Sequence, residues 1–410
     1  MALMLPQGAK AFWPDENPVF QAEILPRLAL TRSPFGTGDG VLAGSMKKSS
    51  SRLIKMYEDG FSGIRVDLDA KERLNEINRR KTGFWKYADI AHANNIADTF
   101  AGQLVIPYIW QMVFWPGCLP GAAQERGDCV SHAASGAQRL TIAGDIASML
   151  PDIASGRAEG VPFVSPVGIK NGVTSSEYQY WWRGYNGDGW DCPTAGEVSL
   201  ERGCLLRNNY PGIIDVSDYS GSLAGKYGAK QPPAEIENIG KPHQLHATAD
   251  ASDFEEIRDA LGNLHGVQTC GGQGFSSRRD QYGFSPRSGG WSHGFKVIGT
   301  DDRPDTVSLK GEPWILCDNN WGIWNSGPRD IRDSAKLVPA LQALVNRVCG
   351  VNVNLVALDI VNGTTGNIMI PEGSWWTTWS SMKNRDYTVY AGIKGWAKKL
   401  ATDWGPSLIG

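Results

Sequence analysis

A cysteine, a histidine and an asparagine stand in three separate segments of the chain, each in a setting that suits nucleophilic chemistry. Cys129 follows Gly127-Asp128 and opens a stretch of small and apolar residues with helical spacing that reaches Leu150. At the first turn of a helix, unpaired backbone N–H groups and the positive end of the helix dipole favour thiolate over thiol. Most buried cysteines only pack, but the thiolate is a nucleophile, so Cys129 is a candidate catalytic residue.

Two downstream segments supply the partners that such a thiolate needs. His293 precedes the apolar run Phe295 to Ile298, and Asn319 ends the run that begins at Trp314, so buried strands are expected beside both. A histidine can take the proton of the thiol, and an asparagine can hold the imidazole in one tautomer. Trp321 would shield the bond between them from water, which strengthens that bond because the local dielectric falls.

The order of these segments resembles the papain-like cysteine peptidases: glutamine, cysteine opening a helix, histidine before a strand, and Asn-x-Trp-Gly after another strand. Gln124, Cys129, His293 and residues 319–322 stand at those positions. The resemblance implies a thiolate–imidazolium pair that attacks an amide or ester carbonyl, with the Cys129 N–H and Gln124 side chain stabilising the oxyanion. The local cysteine signature of the family is absent, and Gln124 lies one residue closer to the cysteine. The histidine and asparagine lie further downstream than roughly 130–150 residues, which implies insertions.

A glycine-containing stretch after the cysteine helix resembles the strip on which these enzymes bind substrate backbone. Gly187, Asp188, Gly189 and Trp190 are therefore candidate substrate-binding residues. Glycines suit this task because a bound peptide must approach the enzyme backbone closely. An ordinary Asn-Gly surface turn would explain the same residues, and both interpretations stay open.

Other residues that could act as the base or bind a metal have less support in the sequence. His132 lies three residues after Cys129 on the same helix face, and the resemblance implies that it points elsewhere. His243-x-x-His246 has no placed third ligand, and none of the seven cysteines forms a CxxC pair, so we predict no metal and no cofactor. The N-terminus lacks the basic and long apolar segments of a secretory signal. Free thiols and synthesis in a reducing cytoplasm are therefore expected.

Length and composition predict a folded protein, and the resemblance implies its architecture. The 410 residues are 41% hydrophobic and 20% charged, which is typical of a globular chain with a full core. The expected fold is α+β and papain-like, with a helical lobe, an antiparallel β lobe, an N-terminal extension and a C-terminal insertion. Residues 1–95 are interpreted as an arm and helical extension, and 96–410 as the catalytic-type domain with an insertion at about 331–370.

Local patterns predict further elements. A helix is expected over residues 70–99, a capping box at Ser252-Asp253-Phe254-Glu255, a helix from Leu337 to Val348 and a strand from Val351 to Val361. The cluster of Trp375, Trp376 and Trp379 is expected to belong to the core, with a contact patch as the alternative.

The leading functional hypothesis is a papain-like cysteine peptidase or amide hydrolase acting on peptide through Cys129, His293 and Asn319. A net charge of −3 argues against nucleic-acid binding, and the longest apolar run is too short to span a membrane. Two alternatives stay open. One is a structural component with a papain-like scaffold, resembling peptidase-like proteins in phage particles, whose N-terminal arm contacts protein partners and which becomes part of a virion. The other is a cell-wall amidase of the same broad clan.

Overall fold

The computed structural model describes residues 64, 67, 69–154, 172–349 and 352–393, which form helices and an antiparallel sheet. The helices are α1 (Ala70–Thr82), α2 (Tyr87–Ala93), α3 (Tyr108–Phe114), α4 (Cys129–Ala154), α5 (Ser176–Trp181), α6 (Cys192–Glu201), α7 (Gly221–Ala224), α8 (Ala234–Gly240), α9 (Phe254–Gly262), α10 (Pro304–Lys310), α11 (Val338–Cys349) and α12 (Trp379–Met382). The strands are β1 (Leu104–Val105), β2 (Asn209–Tyr210), β3 (Ile214–Asp215), β4 (Leu245–Asp250), β5 (Gly266–Phe275), β6 (Arg287–Asp301), β7 (Trp314–Asp318), β8 (Ser374–Thr378) and β9 (Asp386–Ile393). Most of the predicted N-terminal arm lies outside the described residues.

The main sheet of the described region runs in the order β4-β9-β5-β6-β7-β8, with β1 paired to one end of β6. All of its pairings are antiparallel. The register puts Gly271 of β5 opposite His293 of β6, and Lys296 of β6 opposite Asp318 of β7. Asn319 therefore leaves the end of β7 close to the segment of β6 that carries His293.

Helix α4 lies against this sheet and is buried along most of its length. From Cys129 to Ala147 every residue except His132 is buried, because the sequence is rich in small and apolar residues on all sides. Small side chains let the helix approach the strands closely. A Cβ atom at Gly266, the first residue of β5, would lie 2.0 Å from the carbonyl oxygen of Ala137. Packing of this helix sets where Cys129 meets the sheet.

Most elements predicted from periodicity are present, with local corrections. The helix expected over residues 70–99 is two helices, α1 and α2. The predicted capping box at Ser252 is shifted by one residue, since the side chain of Asp253 accepts from the N–H of Glu256 at 2.8 Å. The strand predicted from Val351 to Val361 is wrong, because residues 355–360 form turns and a bend, and Val361 makes an isolated bridge with Ile368. Asparagine side chains satisfy the backbone there, as when Asn354 accepts from the N–H groups of Val356 and Ala357.

The cysteines and tryptophans give one correction and one confirmation. Cys192 and Cys270 form a disulfide that joins α6 to β5, so the expectation of free thiols is wrong for this pair. Trp375 and Trp376 on β8 are buried in the core, as expected for large aromatic side chains, whereas Trp379 of the same cluster is half-buried. No helix in the described ranges is long and apolar enough to cross a membrane.

Candidate active site

Cys129 is the first residue of α4, and its side chain meets strand β6. The backbone N–H of Gly294, which follows His293, contacts the Cys129 sulfur at 3.5 Å. The sulfur therefore lies between the positive end of a 26-residue helix and a backbone donor from the sheet. Both features stabilise negative charge on sulfur more than they stabilise the neutral thiol.

His293 and Asn319 form a hydrogen bond whose direction fixes the imidazole tautomer. Nε2 of His293 lies 2.7 Å from Oδ1 of Asn319. The same Oδ1 accepts from the backbone N–H of Asn320 at 2.7 Å, and a backbone N–H can only donate. Oδ1 is therefore the acceptor in both bonds, and Nε2 of His293 carries the proton. In the neutral ring Nδ1 then holds the lone pair, so it is the nitrogen that can act as a base.

Tryptophans enclose the imidazole. The indole of Trp321 stacks on the His293 ring with centroids 4.5 Å apart and an interplanar angle of 27°. Trp291 meets the same ring edge-on at 5.9 Å and packs against Trp321 and Trp324. These contacts exclude water from the bond between His293 and Asn319, which raises its strength because the local dielectric is low.

Asn320 joins the cysteine helix to the histidine strand. Its Nδ2 donates to the carbonyl oxygen of Cys129 at 3.0 Å and to that of Gly294 at 2.7 Å. Its own carbonyl accepts from the N–H of Gln124 at 2.8 Å. One buried residue thus contacts the segments that carry all four predicted catalytic residues. Sequence reasoning missed it, although it lies inside the Asn-x-Trp-Gly motif.

Burial governs the electrostatics of the site. Cys129 and His293 are both 0% exposed. Burial lowers the pKa of His293 to about 3, and Arg385 acts in the same direction, whereas the hydrogen bond to Asn319 opposes the shift. The imidazole is therefore neutral at pH 7, the form that can accept a proton. A thiolate beside the ring would raise this pKa, because it favours the charged form.

Gln124 is buried close to the start of α4, and its amide is already engaged. Its Nε2 donates to the carbonyl oxygen of Arg126 at 2.8 Å. The amide nitrogen carries two hydrogens, of which this contact uses one. The oxyanion role of Gln124 stays a prediction.

The predicted substrate strip lies against the loop that precedes Cys129. The N–H of Gly189 donates to the carbonyl of Gly127 at 2.8 Å, and Arg126 forms an ion pair with Asp188 at 2.7 Å. Gly187 is exposed, whereas Gly189 and Trp190 are buried. Gly187 and Asp188 are thus the accessible part of the strip, and its role in binding substrate stays a prediction.

The rival histidine is held by other groups. Nε2 of His132 lies 3.3 Å from the hydroxyl of Ser176 and 3.5 Å from Oδ2 of Asp128. The ring of Tyr219 packs edge-on against it at 4.6 Å, and the Tyr219 hydroxyl also donates to Asp128. Asp128, directly before Cys129, is therefore part of a buried network with His132. Within the described ranges, no group of three His, Cys, Asp or Glu side chains is placed to hold a metal ion.

Arg385 is a second residue near the site that sequence reasoning missed. It follows α12 and donates through Nη2 to the carbonyl of His293 at 2.7 Å. Nothing in Asn384-Arg385-Asp386 distinguishes it from a solvent-exposed turn, because its role depends on contacts with strands more than 90 positions earlier in the chain.

Comparison with solved structures returns cysteine proteases, at low similarity. Xylellain, a cysteine protease from Xylella fastidiosa, has 11% identity and a TM-score of 0.35 over 66% of this chain and 81% of that one. Procathepsin B from Trypanosoma congolense has 11% identity and a TM-score of 0.31 over 63% and 89%. The proform of Amb a 11, a ragweed pollen cysteine protease, has 13% identity and a TM-score of 0.29 over 68% and 85%. No protein-family model and no curated protein sequence matches the chain.

Proposed function

We propose that this chain is a cysteine peptidase or related amide hydrolase in which Cys129, His293 and Asn319 form the catalytic triad. The observation that carries the proposal is the hydrogen bond from His293 Nε2 to Asn319 Oδ1. His293 lies on β6, and the backbone N–H of the next residue, Gly294, contacts the Cys129 sulfur. This arrangement leaves Nδ1 as the base and holds the ring against buried tryptophans.

The reaction follows from these roles. Nδ1 of His293 takes the proton from the Cys129 thiol, and the sulfur attacks the substrate carbonyl carbon. The negative oxygen that forms would accept from the Cys129 N–H and the Gln124 amide. The C–N bond then breaks, the amine leaves with the proton from His293, and water hydrolyses the thioester to release the acid and the thiol.

An extended peptide fits this site best among amide substrates. Gly187 and Asp188 are accessible, and they belong to the strip bonded to the loop before Cys129. An exposed glycine lets a substrate backbone approach closely. We also propose the papain-like, two-lobed arrangement, in which the helices around α4 supply the cysteine and the antiparallel sheet supplies His293 and Asn319.

A second candidate function is that of a non-catalytic assembly component, for example within a phage particle. The complete burial of Cys129 and His293 favours it, because a working hydrolase must open the site to substrate. In this candidate the N-terminal arm would contact protein partners, and the triad geometry would be kept for packing alone.

Labelling with a peptidyl electrophile separates the two candidates. We expect Cys129 to be modified in the native protein, as mapped by mass spectrometry, and modification to be lost in His293→Ala. Cys349→Ala is a matched control, because Cys349 is a free buried thiol whose pKa burial raises to about 12. Hydrolysis of a peptide library and of cross-linked cell-wall peptides would then define the substrate. If native Cys129 is not labelled and no amide is cleaved, the assembly function is the better account.

A further inference from the structure

Arg385 is a buried cation that reaches the catalytic segment of the sheet. Its residue is 7% exposed, and its guanidinium lies 4.2 Å from the centroid of the Phe295 ring. Nη2 donates to the carbonyl of His293 at 2.7 Å, Nη1 to that of Gln273 at 3.1 Å, and Nε to the hydroxyl of Thr269 at 3.3 Å. All three acceptors are neutral oxygens, so these hydrogen bonds do not balance the positive charge.

A fully buried charge is costly unless an opposite charge lies nearby. Burial lowers the pKa of Arg385 to about 10, so the guanidinium is still positive at neutral pH. The neighbouring carboxylate of Asp386 is 60% exposed and pairs with Lys71 at 3.3 Å. This carboxylate faces solvent and another cation, so it balances little of the buried positive charge of Arg385.

Arg385 also interacts electrostatically with three further acidic groups, Cys129, Cys317 and Tyr387. Burial raises the pKa of the Cys317 thiol and of the Tyr387 phenol far above neutral pH, so both stay uncharged. Cys129 differs from these two because it lies at a helix N-terminus and contacts the N–H of Gly294. Among the histidines near the site, His293 is held neutral, and His132 pairs with Asp128.

We propose that Arg385 is a positioning residue for the catalytic pair, which fixes the His293 carbonyl and supplies the buried positive charge that balances the Cys129 thiolate. The inference rests on the proposed function. It implies that the thiolate is stabilised by three sources: the start of α4, the Gly294 N–H and the guanidinium. The proton that leaves Cys129 is held on Nδ1 of His293, as in the proposed reaction, until the substrate amine takes it.

Gly271 makes room for this cation. It lies opposite His293 in the β5–β6 ladder, and a Cβ atom there would come within 2.7 Å of Cγ and 3.0 Å of Cζ of Arg385. A side chain at position 271 would therefore displace the guanidinium from the His293 carbonyl. The glycine on β5 therefore leaves the space beside His293 that the long side chain of Arg385, just before β9, occupies.

The test is the rate of Cys129 alkylation by iodoacetamide against pH, mapped by mass spectrometry on the full chain. Wild type, His293→Ala, Arg385→Lys and Arg385→Gln are compared, with thermal unfolding recorded for each. We expect the wild-type thiol to titrate well below its ordinary pKa of roughly 8.5. Arg385→Gln should raise that pKa by about one unit, which slows alkylation at low pH about tenfold. Arg385→Lys keeps the charge and should stay within about threefold of wild type.

The outcomes separate this inference from the proposed function. If wild-type Cys129 titrates as an ordinary thiol, the proposed function fails and the inference fails with it. If the wild-type value is low, His293→Ala raises it and Arg385→Gln does not, only the role of Arg385 is overturned. If Arg385→Gln does not fold, Gly271→Ala decides, because a Cβ atom there displaces the guanidinium: a raised thiol pKa supports the inference, and an unchanged one overturns it. A role in stability alone would lower both melting temperatures without moving the thiol pKa.

Discussion

At the scale of single residues, the side-chain amide of Asn319 determines which nitrogen of His293 can act. Because Oδ1 accepts from both the Asn320 N–H and His293 Nε2, the amide cannot turn over without losing both bonds. The tautomer with its lone pair on Nδ1 is therefore built into the turn that follows β7. An aspartate or a serine would hold the ring differently, since each changes the charge or the reach of the acceptor.

Replacement of Asn319 should therefore damage catalysis more than stability. We expect Asn319→Ala to lower kcat roughly 10²-fold, because the imidazole loses its preferred tautomer and orientation. The measurement is steady-state hydrolysis of a peptide substrate found by library screening. Asn346→Ala is the matched control, since Asn346 donates and accepts similar hydrogen bonds on α11, away from the site. Equal kcat values for the two variants would contradict the role of Asn319.

At the scale of elements, the site exists because one helix, one strand and one turn meet. Periodicity of the sequence predicts α4, β6 and β7 separately. Their meeting depends on Asn320, whose side chain donates to carbonyls of both α4 and β6. The buried ion pair of Lys296 and Asp318 holds β6 and β7 together next to it, and Ser374 donates to the same carboxylate at 2.8 Å.

Loss of the hydrogen bonds that the Asn320 side chain donates should lower both stability and activity. Asn320→Ala leaves two buried carbonyls without their donor, so we expect unfolding free energy to fall by about 1–3 kcal/mol. Urea unfolding measures this change, and kcat should fall in parallel as Cys129 and Gly294 separate. Asn320→Asp keeps the size but loses the donor, so it should be at least as destabilised. If both variants unfold and react like wild type, the Asn320 side chain does not position the site.

At the scale of the whole molecule, a covalent bond joins the helical part to the sheet. Cys192 at the start of α6 is bonded to Cys270 of β5, across a sequence separation of 78. A cross-link of this kind stabilises mainly by restricting the unfolded chain, typically by ~2–4 kcal/mol. We expect the double variant Cys192→Ser with Cys270→Ser to lose about that much stability in urea unfolding, while Cys204→Ser loses no cross-link. Recovery of both cysteines as free thiols in a non-reducing peptide map would contradict the pairing.

One buried and one half-buried histidine should make the protein sensitive to acid. Burial lowers the pKa of both His265 and His293 to about 3, below the ordinary value of 6.5. Below pH 6.5 the unfolded chain binds protons that the folded chain does not, so this contribution to stability is complete above 6.5 and is lost as pH falls towards 3.

The comparison of His265→Asn with wild type measures how protonation of one of these two histidines contributes to the pH dependence of stability. We expect the variant to lose less stability than wild type between pH 7 and pH 4.5, with a slope smaller by about one proton. Urea midpoints at the two pH values give the measurement. His92→Asn, at an exposed position on α2, serves as the control and should follow wild type. Identical losses for His265→Asn and wild type would show that His265 does not titrate as its burial requires.

The sequence alone determined the local elements and the candidate triad. The helix after Cys129 and the strands beside His293 and before Asn319 depend on neighbouring residues, so patterns along the chain predict them. The same holds for the helix predicted from Leu337 to Val348, which the structure has at Val338–Cys349. The prediction of a strand from Val351 to Val361 is wrong for an equally local reason. Asparagine side chains there accept hydrogen bonds from nearby backbone N–H groups and favour turns.

Only the tertiary structure decided how these parts form a site. The pairing of Cys192 with Cys270, the bridge made by Asn320 and the approach of Arg385 to His293 join residues far apart in sequence. Such contacts depend on strand register and on the close packing of α4, which no local pattern records. Burial of Cys129 and His293 follows from the same packing, and burial sets the electrostatics on which their chemistry depends.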